Sequence, residues 1–339
     1  MQYSSNLSPQ EGVTMRYRIC ALALAAGGTL FAVPALHAQP KSDAYPTRPV
    51  RLIVNFAPGG GTDIMARTFG HKFSEARGQA VVIDNRGGGG GTIGAEMVVR
   101  APADGYTLGM VSTSYATNAA VFKLPYDPVN DITPIAQVGN AGILMAVHPS
   151  VPAKTVKDLI AFAKAKPGAL NYASSGTGGN THMVTELFNM MAGTVMTHVP
   201  YKGTGPAVTD LLSGQVQLIV GTLNVLRPHV LAGRLRGLGV TSLKRNPGLP
   251  DVPPIADTVP GYEAGLWYGL WGPKGMRRDA VEIWNAEVRK AFQAPDIRER
   301  FAAEGLEATD GPPELLRDVI NRDVAKWRKV VKAANIRVQ

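Results

Sequence analysis

The chain has 339 residues, 45% of them hydrophobic and 18% charged, with 38 glycines and 25 prolines. That length accommodates two domains or one large one, and that composition describes a folded chain rich in turns rather than a disordered one. The formal net charge is +9, but the lysines and arginines are dispersed, with no basic run interleaved with aromatics, which argues against nucleic acid as a partner.

The first 40 residues read as an address. Arg16 and Arg18 precede an apolar stretch, Ile19–Val33, that is too short and too glycine-rich to span a bilayer. Ala35 and Ala38 then offer small-residue cleavage positions, and Met15 is an alternative start just ahead of the arginines. The expectation is a cleaved signal peptide over residues 1–38 and a soluble, exported mature protein. The only cysteine, Cys20, falls inside that segment. The mature chain then has no disulfide, no thiol nucleophile and no Cys-ligated zinc.

Val50–Val54 is an apolar, β-branched run expected as a buried strand. Pro58 ends it, Gly59, Gly60 and Gly61 follow, and Thr62 and Asp63 open a helical pattern over Ile64–Phe73. Glycines let a backbone approach a ligand closely, and the free N–H groups of a helix start favour anions. The same stretch also suits a plain tight connection. Ala80–Asp84 is a second strand, followed by the run Gly87–Gly91 and a helix-like Ala95–Arg100. Tyr106–Ser112 is a third strand that runs into a polar loop, Ser112–Tyr115. This βαβαβ order predicts a parallel sheet with helices on its faces.

Ile143–His148 is a strand leading away from that unit. Thr155 and Asp158 predict a capping box, with Val156, Leu159, Ile160 and Ala163 on one helix face. Leu170–Ser174 is a strand, and a second glycine-rich loop runs from Ser174 to His182. The next helix places Met183, Leu187 and Met190 on one face. Thr197–Tyr201 and Val216–Thr222 are further strands, with a helix around Ala207–Leu212 between them. Leu235–Thr241 is a strand returning the chain to the first unit. A proline-rich crossing over residues 247–260 leads to two closing helices. One carries Val281, Trp284, Val288 and Phe292 on its apolar face. The other starts near Pro312 and carries Leu315, Val319, Trp327 and Val331.

Strand, glycine-rich loop and helix start thus occur twice, and the two loops are suited to face each other across a cleft. The second supplies backbone N–H groups and the hydroxyls of Ser174, Ser175, Thr177 and Thr181, a donor set that fits a carboxylate. Two enzyme readings compete. Gly89, Gly91 and Gly94 spell a dinucleotide fingerprint, but the acid expected about 20 residues on is missing. Ser174 with His182 and a distant acid would make a hydrolase, without any nucleophile-elbow motif in its favour. The six histidines show no metal-ligand spacing. A structural envelope protein with a vestigial cleft is a third reading.

Residues 45–339 resemble the substrate receptors of tripartite tricarboxylate transporters, the Bug family of periplasmic binding proteins. The resemblance rests on YPTRPVRLIVNFAPGGGTD, VVIDNRGGGGGTIGAE, ADGYTL, PAKTVKDLIAFAKAKPGALNYASSGTGG, HVPYKGTGPAVTDLLSGQV and LPDVPPIADTVPGYEA followed by WYGLWGP, all in order. It implies an α/β protein of two domains with the type II binding-protein fold, a ligand cleft and a hinge. Domain 1 would be residues 45–142 plus 238–339, domain 2 residues 143–237. It further implies a monomeric, non-enzymatic receptor without cofactor or metal, holding a small carboxylate and serving a membrane permease or a sensor protein.

The resemblance assigns the first loop to Phe56, Ala57, Pro58, Gly59, Gly60, Gly61, Thr62 and Asp63, with Asp63 capping its helix rather than meeting an anion. It assigns the second to Ser174, Ser175, Gly176, Thr177, Gly178, Gly179, Asn180, Thr181 and His182. Ser112, Ser114 and Tyr115 would line the domain 1 wall, Tyr201 and Asn224 the domain 2 wall. Two departures stand out: Gly179 replaces a serine common in the family, and no acid stands near Gly221 or Thr222. The second tilts the expectation towards a ligand without an amino group.

Overall fold

The computed structural model describes residues 45–333. The expected signal peptide, with Met15, Cys20 and both cleavage positions, lies outside the described residues. The chain opens with β1 (Val50–Val54), α1 (Gly61–Arg77), β2 (Val81–Asn85), α2 (Thr92–Val99), β3 (Thr107–Ser112) and α3 (Ser114–Val121). β1 pairs in parallel with β2 and with β3, in keeping with the alternating pattern. Val50, Leu52, Ile53 and Val54 are fully buried, while Arg51 reaches sideways to Asp84 on β2. The segment expected as a polar loop, Ser112–Tyr115, is instead the end of β3 and the first turn of α3.

The sheet is mixed rather than parallel throughout, because strands without a helix between them also join it. β4 (Ile132–Ala141) and β3 flank β10 (Leu266–Pro273), which runs antiparallel to both. β11 (Leu306–Glu307) adds to β4, so the order is β11-β4-β10-β3-β1-β2. Trp267 and Trp271 of β10 pack with Tyr115, Leu316 and Ile320 on one face. Leu266, Tyr268 and Leu270 take the other face, as the period of two requires.

The second sheet contains β5 (Ile143–Val147), β6 (Asn171–Ser174), β7 (Thr197–Pro200), β8 (Leu218–Thr222) and β9 (Arg236–Val240), in the order β7-β6-β8-β5-β9. Its helices are α4 (Val156–Ala165), α5 (Asn180–Ala192), α6 (Thr204–Leu212) and α7 (Leu223–Leu231). The capping box of α4 is present: Asp158 N–H donates to Thr155 Oγ1 at 3.1 Å and Thr155 N–H to Asp158 Oδ2 at 3.0 Å. Met190 is not on the buried face of α5. The seam runs through Val184, Phe188 and Ala192, and Met190 sits about 200° round the helix from Phe188.

The chain passes between the sheets at Gly142, which separates β4 from β5, and again after Val240. The closing helices are α8 (Arg278–Ala291), α9 (Pro295–Glu304) and α10 (Glu314–Ala333). Trp284 of α8 stacks on Phe73 of α1 at 3.5 Å between ring centroids. In α10 the buried face is Leu316, Val319, Ile320, Val324 and Trp327. Leu315, expected there, is exposed, because Leu316 is the residue packed over Gly269 of β10.

Candidate ligand-binding site

The C-terminal ends of β1, β3, β6, β7 and β8 converge between the two sheets, where ligands of α/β proteins are generally held. There they surround a small cavity. From the first loop Phe56, Gly60, Gly61 and Thr62 line it, and Ser112 and Ser114 follow from the end of β3. Ser175, Asn180 and Thr181 face them from the second loop. Ile143, Thr204, Gly221, Thr222, Leu266 and Tyr268 complete the wall.

Five helices, α1, α3, α5, α6 and α7, start at this cavity, and three of them have a glycine at the N-cap with no side-chain cap: Gly60 for α1, Gly179 for α5 and Gly203 for α6. The first-turn N–H groups of such helices have no partner within the helix and carry the positive end of the dipole. α4, away from the cavity, closes its own first turn with Thr155 and Asp158. None of the lining residues is charged. The electrostatic character of the cavity therefore comes from backbone dipoles and hydroxyls, which favour an anion without placing a fixed cation beside it. Asn180 Oδ1 is buried and has no hydrogen-bond partner among the described residues, so its carboxamide is available to turn its Nδ2 donors towards an anion.

Two of these glycines sit where a side chain would be crowded. A β-carbon on Gly61 would overlap the Tyr268 hydroxyl, and one on Gly179 would fall 3.0 Å from Ser175 Oγ.

The remaining residues expected at the site lie elsewhere. Asp63 is turned away: its carboxylate accepts from Gly59 N–H at 3.1 Å, from Arg67 and from Asn85. Burial opposes its ionisation, but those bonds outweigh it and hold the carboxyl below its ordinary range. Ala57, Gly176, Thr177 and Tyr201 line an outer groove at the cleft mouth, and the Tyr201 hydroxyl is committed to Asp210 at 2.7 Å. Pro58 and Gly59 abut Gly205, and Gly178 abuts Phe122. Tyr115 does not reach the cavity, because its ring is buried beside Tyr126 and Trp271. Asn224 is buried in the first turn of α7, outside the lining.

The cleft is closed by bonds that cross it. Ala57 N–H donates to Lys202 O at 2.8 Å, Thr117 Oγ1 to Gly178 O at 2.7 Å, and Asn180 N–H to Ser114 Oγ at 3.0 Å. The glycine run Gly87–Gly91 belongs to this closure. Gly90 lies against Thr177 O and Gly179 N, and a β-carbon on Gly87 would stand 2.7 Å from Lys202 O. With the run packed onto the second loop, it does not hold an open phosphate cradle.

Ser174 and His182 do not form a dyad. Ser174 is fully buried, and its Oγ pairs with His198 Nε2 at 2.6 Å while accepting Gly176 N–H. His182 Nδ1 accepts Gly178 N–H at 3.1 Å. The rings of His182 and His198 stack at 4.1 Å, and burial pushes each down to about 4, so both are neutral at pH 7. These groups shape the second loop from behind.

A two-sheet α/β frame with a closed cleft between loops defines a periplasmic binding-protein architecture. A family model for the tripartite tricarboxylate transporter family receptor matches residues 65–336, and the chain belongs to that family. Protein BugT of Bordetella pertussis is 34% identical over 321 residues, covering 93% of this chain and 98% of BugT. An R. palustris protein solved with adipate superposes with a TM-score of 0.83 at 38% identity, covering 86% of this chain and 99% of its own. The periplasmic binding protein BugD gives a TM-score of 0.84 at 32% identity, covering 87% and 100%.

Proposed function

We propose that this receptor works in the periplasm, where it captures a small carboxylate between the loops at 56–63 and 174–182 and delivers it to the permease of a tripartite transporter or to a sensor protein. The observation that carries this is the closed cavity without a charged side chain, at which α1, α5 and α6 start on uncapped glycines. The carboxylate oxygens would accept from first-turn N–H groups and from Thr62, Ser112, Ser114, Ser175, Thr181 and Thr204. Adipate in the R. palustris relative supports the ligand class. The missing acid near Gly221 and Thr222 supports a ligand without an amino group, since an ammonium would have no counter-charge here.

In this proposal residues 45–142 and 238–339 form one domain and residues 143–237 the other. Closure is a rotation about Gly142 and the segment after Val240, drawn shut by the ligand's contacts to both domains. The protein acts as a monomer and catalyses nothing: the one serine–histidine pair near the cleft is buried behind the loop. The test is a thermal-shift screen of the mature protein with mono-, di- and tricarboxylates, with amino acids and amines as controls. A ligand at about 100 times its Kd adds about 2.7 kcal/mol of stability, so at least one carboxylate should raise Tm by several degrees. Shifts from amines alone, or from none of these, would sink the proposal.

A further inference from the structure

Leu266 opens β10 opposite Ala141 and is shared by two cavities. On one side it lines the closed cavity beside Ile143, Gly221 and Tyr268. On the other it lines a broader, more open groove that runs past residues 140–142 and 241–247, where the chain passes between the sheets. No other residue is common to the two linings. We propose that Leu266 is the end wall of the ligand cavity and that its side chain sets the length of the carboxylate the cavity accepts. This deepens the receptor proposal and rests on it.

The wall is held in place. Leu266 is only 6% exposed, so its side chain fills space inside the protein. The backbone next to it is pinned to Thr113 by both polar groups of Trp267: Trp267 N–H donates to Thr113 Oγ1 at 2.9 Å, and Thr113 N–H to Trp267 O at 3.1 Å. Gly265, just before the wall, has open space where a β-carbon would stand. Truncating Leu266 should therefore connect the two cavities rather than let the strand slide inward.

What lies beyond the wall differs from what lies before it. The closed cavity has no charged side chain, whereas the groove carries Lys244, Arg245, Arg322 and Lys326 against Glu263, Glu307 and Asp323. A dicarboxylate with one end at the helix starts would, once past residue 266, bring its far carboxylate towards those cations. A monocarboxylate of equal length would place a methyl group among polar atoms instead. Shortening residue 266 should thus favour longer dicarboxylates selectively.

The experiment is calorimetric titration of the mature protein and of Leu266→Ala with unbranched α,ω-dicarboxylates from malonate to suberate, alongside monocarboxylates of matching length. The wild type should prefer one length and lose tenfold or more for acids longer by two methylenes. Leu266→Ala should move the optimum to acids longer by one or two methylenes, without an equal gain for monocarboxylates. Leu266→Val should move it in the same direction, and replaces the alanine variant if that one does not fold. An unchanged optimum in the folded variant overturns the inference.

If no protein binds any carboxylate, the receptor proposal fails, and the wall is then judged by itself. In protein produced without residues 1–38, which removes Cys20, Thr222→Cys supplies a single thiol inside the cavity. A small charged thiol reagent should label it at least tenfold faster when Leu266→Ala is also present. Equal rates overturn the wall.

Discussion

At Gly90 the backbone has φ +64° and lies against the carbonyl of Thr177 in the second loop, where a β-carbon would overlap that oxygen. The left-handed conformation alone makes alanine unfavourable there, by about 1 kcal/mol. Under the proposed hinge, Thr177 and Gly90 come from opposite domains, and the overlap then acts on the closed form only. Gly90→Ala should therefore weaken ligand binding tenfold or more while Tm without ligand falls by only a few degrees. Titration calorimetry and a melting curve on the same sample check this, and unaltered affinity would remove the glycine run from the closure. Gly60 behaves differently. A β-carbon there would stand 3.6 Å from Thr204 Cβ, so it fits, and the two further carbons of valine are expected to crowd the cavity that Gly60 lines. Gly60→Val is expected to abolish binding with the fold retained, and titration with the wild-type ligand reads it.

Among the elements, α5 and β7 together contain the titratable feature with the largest consequence. His182 is buried and His198 half-buried; both are neutral and stacked, facing Tyr172 and Glu186 as well as each other. Both sit at about 4 in the folded protein, against about 6.5 unfolded. Between those values the unfolded chain binds more protons than the folded one, so stability falls as pH drops from about 6.5 to 4 and is flat above. For His182 the loss is at most about 3 kcal/mol. Melting curves from pH 7.5 to 4.5 should show this decline, and His182→Gln should flatten it. A wild-type Tm that does not fall across that range would contradict the burial of the pair.

Much of this element level is visible in the sequence, for physical reasons. The buried strands β1, β3 and β5 declare themselves by continuous apolar runs, the capping box by Thr155 and Asp158, and both ligand loops by glycines placed between a strand and a helix. β4, β10, β11, α3, α7 and α9 were not anticipated. The tertiary neighbours of β4 determine that it is a strand, and Pro228 interrupts the α7 pattern from inside the helix.

For the whole molecule, the two halves of the site differ in how far local sequence betrays them. Phe56, Gly60, Gly61, Thr62, Ser175, Asn180 and Thr181 come from the two loops and reach the cavity. Ile143, Leu266 and Tyr268 sit at the starts of strands far away in the chain, and only sheet register turns them inward. Thr204 and Thr222 lay within segments already read as a motif and a strand end, but nothing local shows which way they face. Tyr115 shows the converse: one position after Ser114, the turn of α3 sends its ring into the core. Loop contacts, then, are written locally, whereas the walls and the end of the cavity depend on how the sheets are assembled.

The central claim is that this closed cavity holds a small carboxylate. Native mass spectrometry of gently purified mature protein tests it most directly, followed by denaturation and identification of whatever is released. The account predicts a single small carboxylic acid bound one to one, lost in Gly60→Val. A stoichiometric ligand with no carboxylate, or a carboxylate retained equally by Gly60→Val, would contradict it.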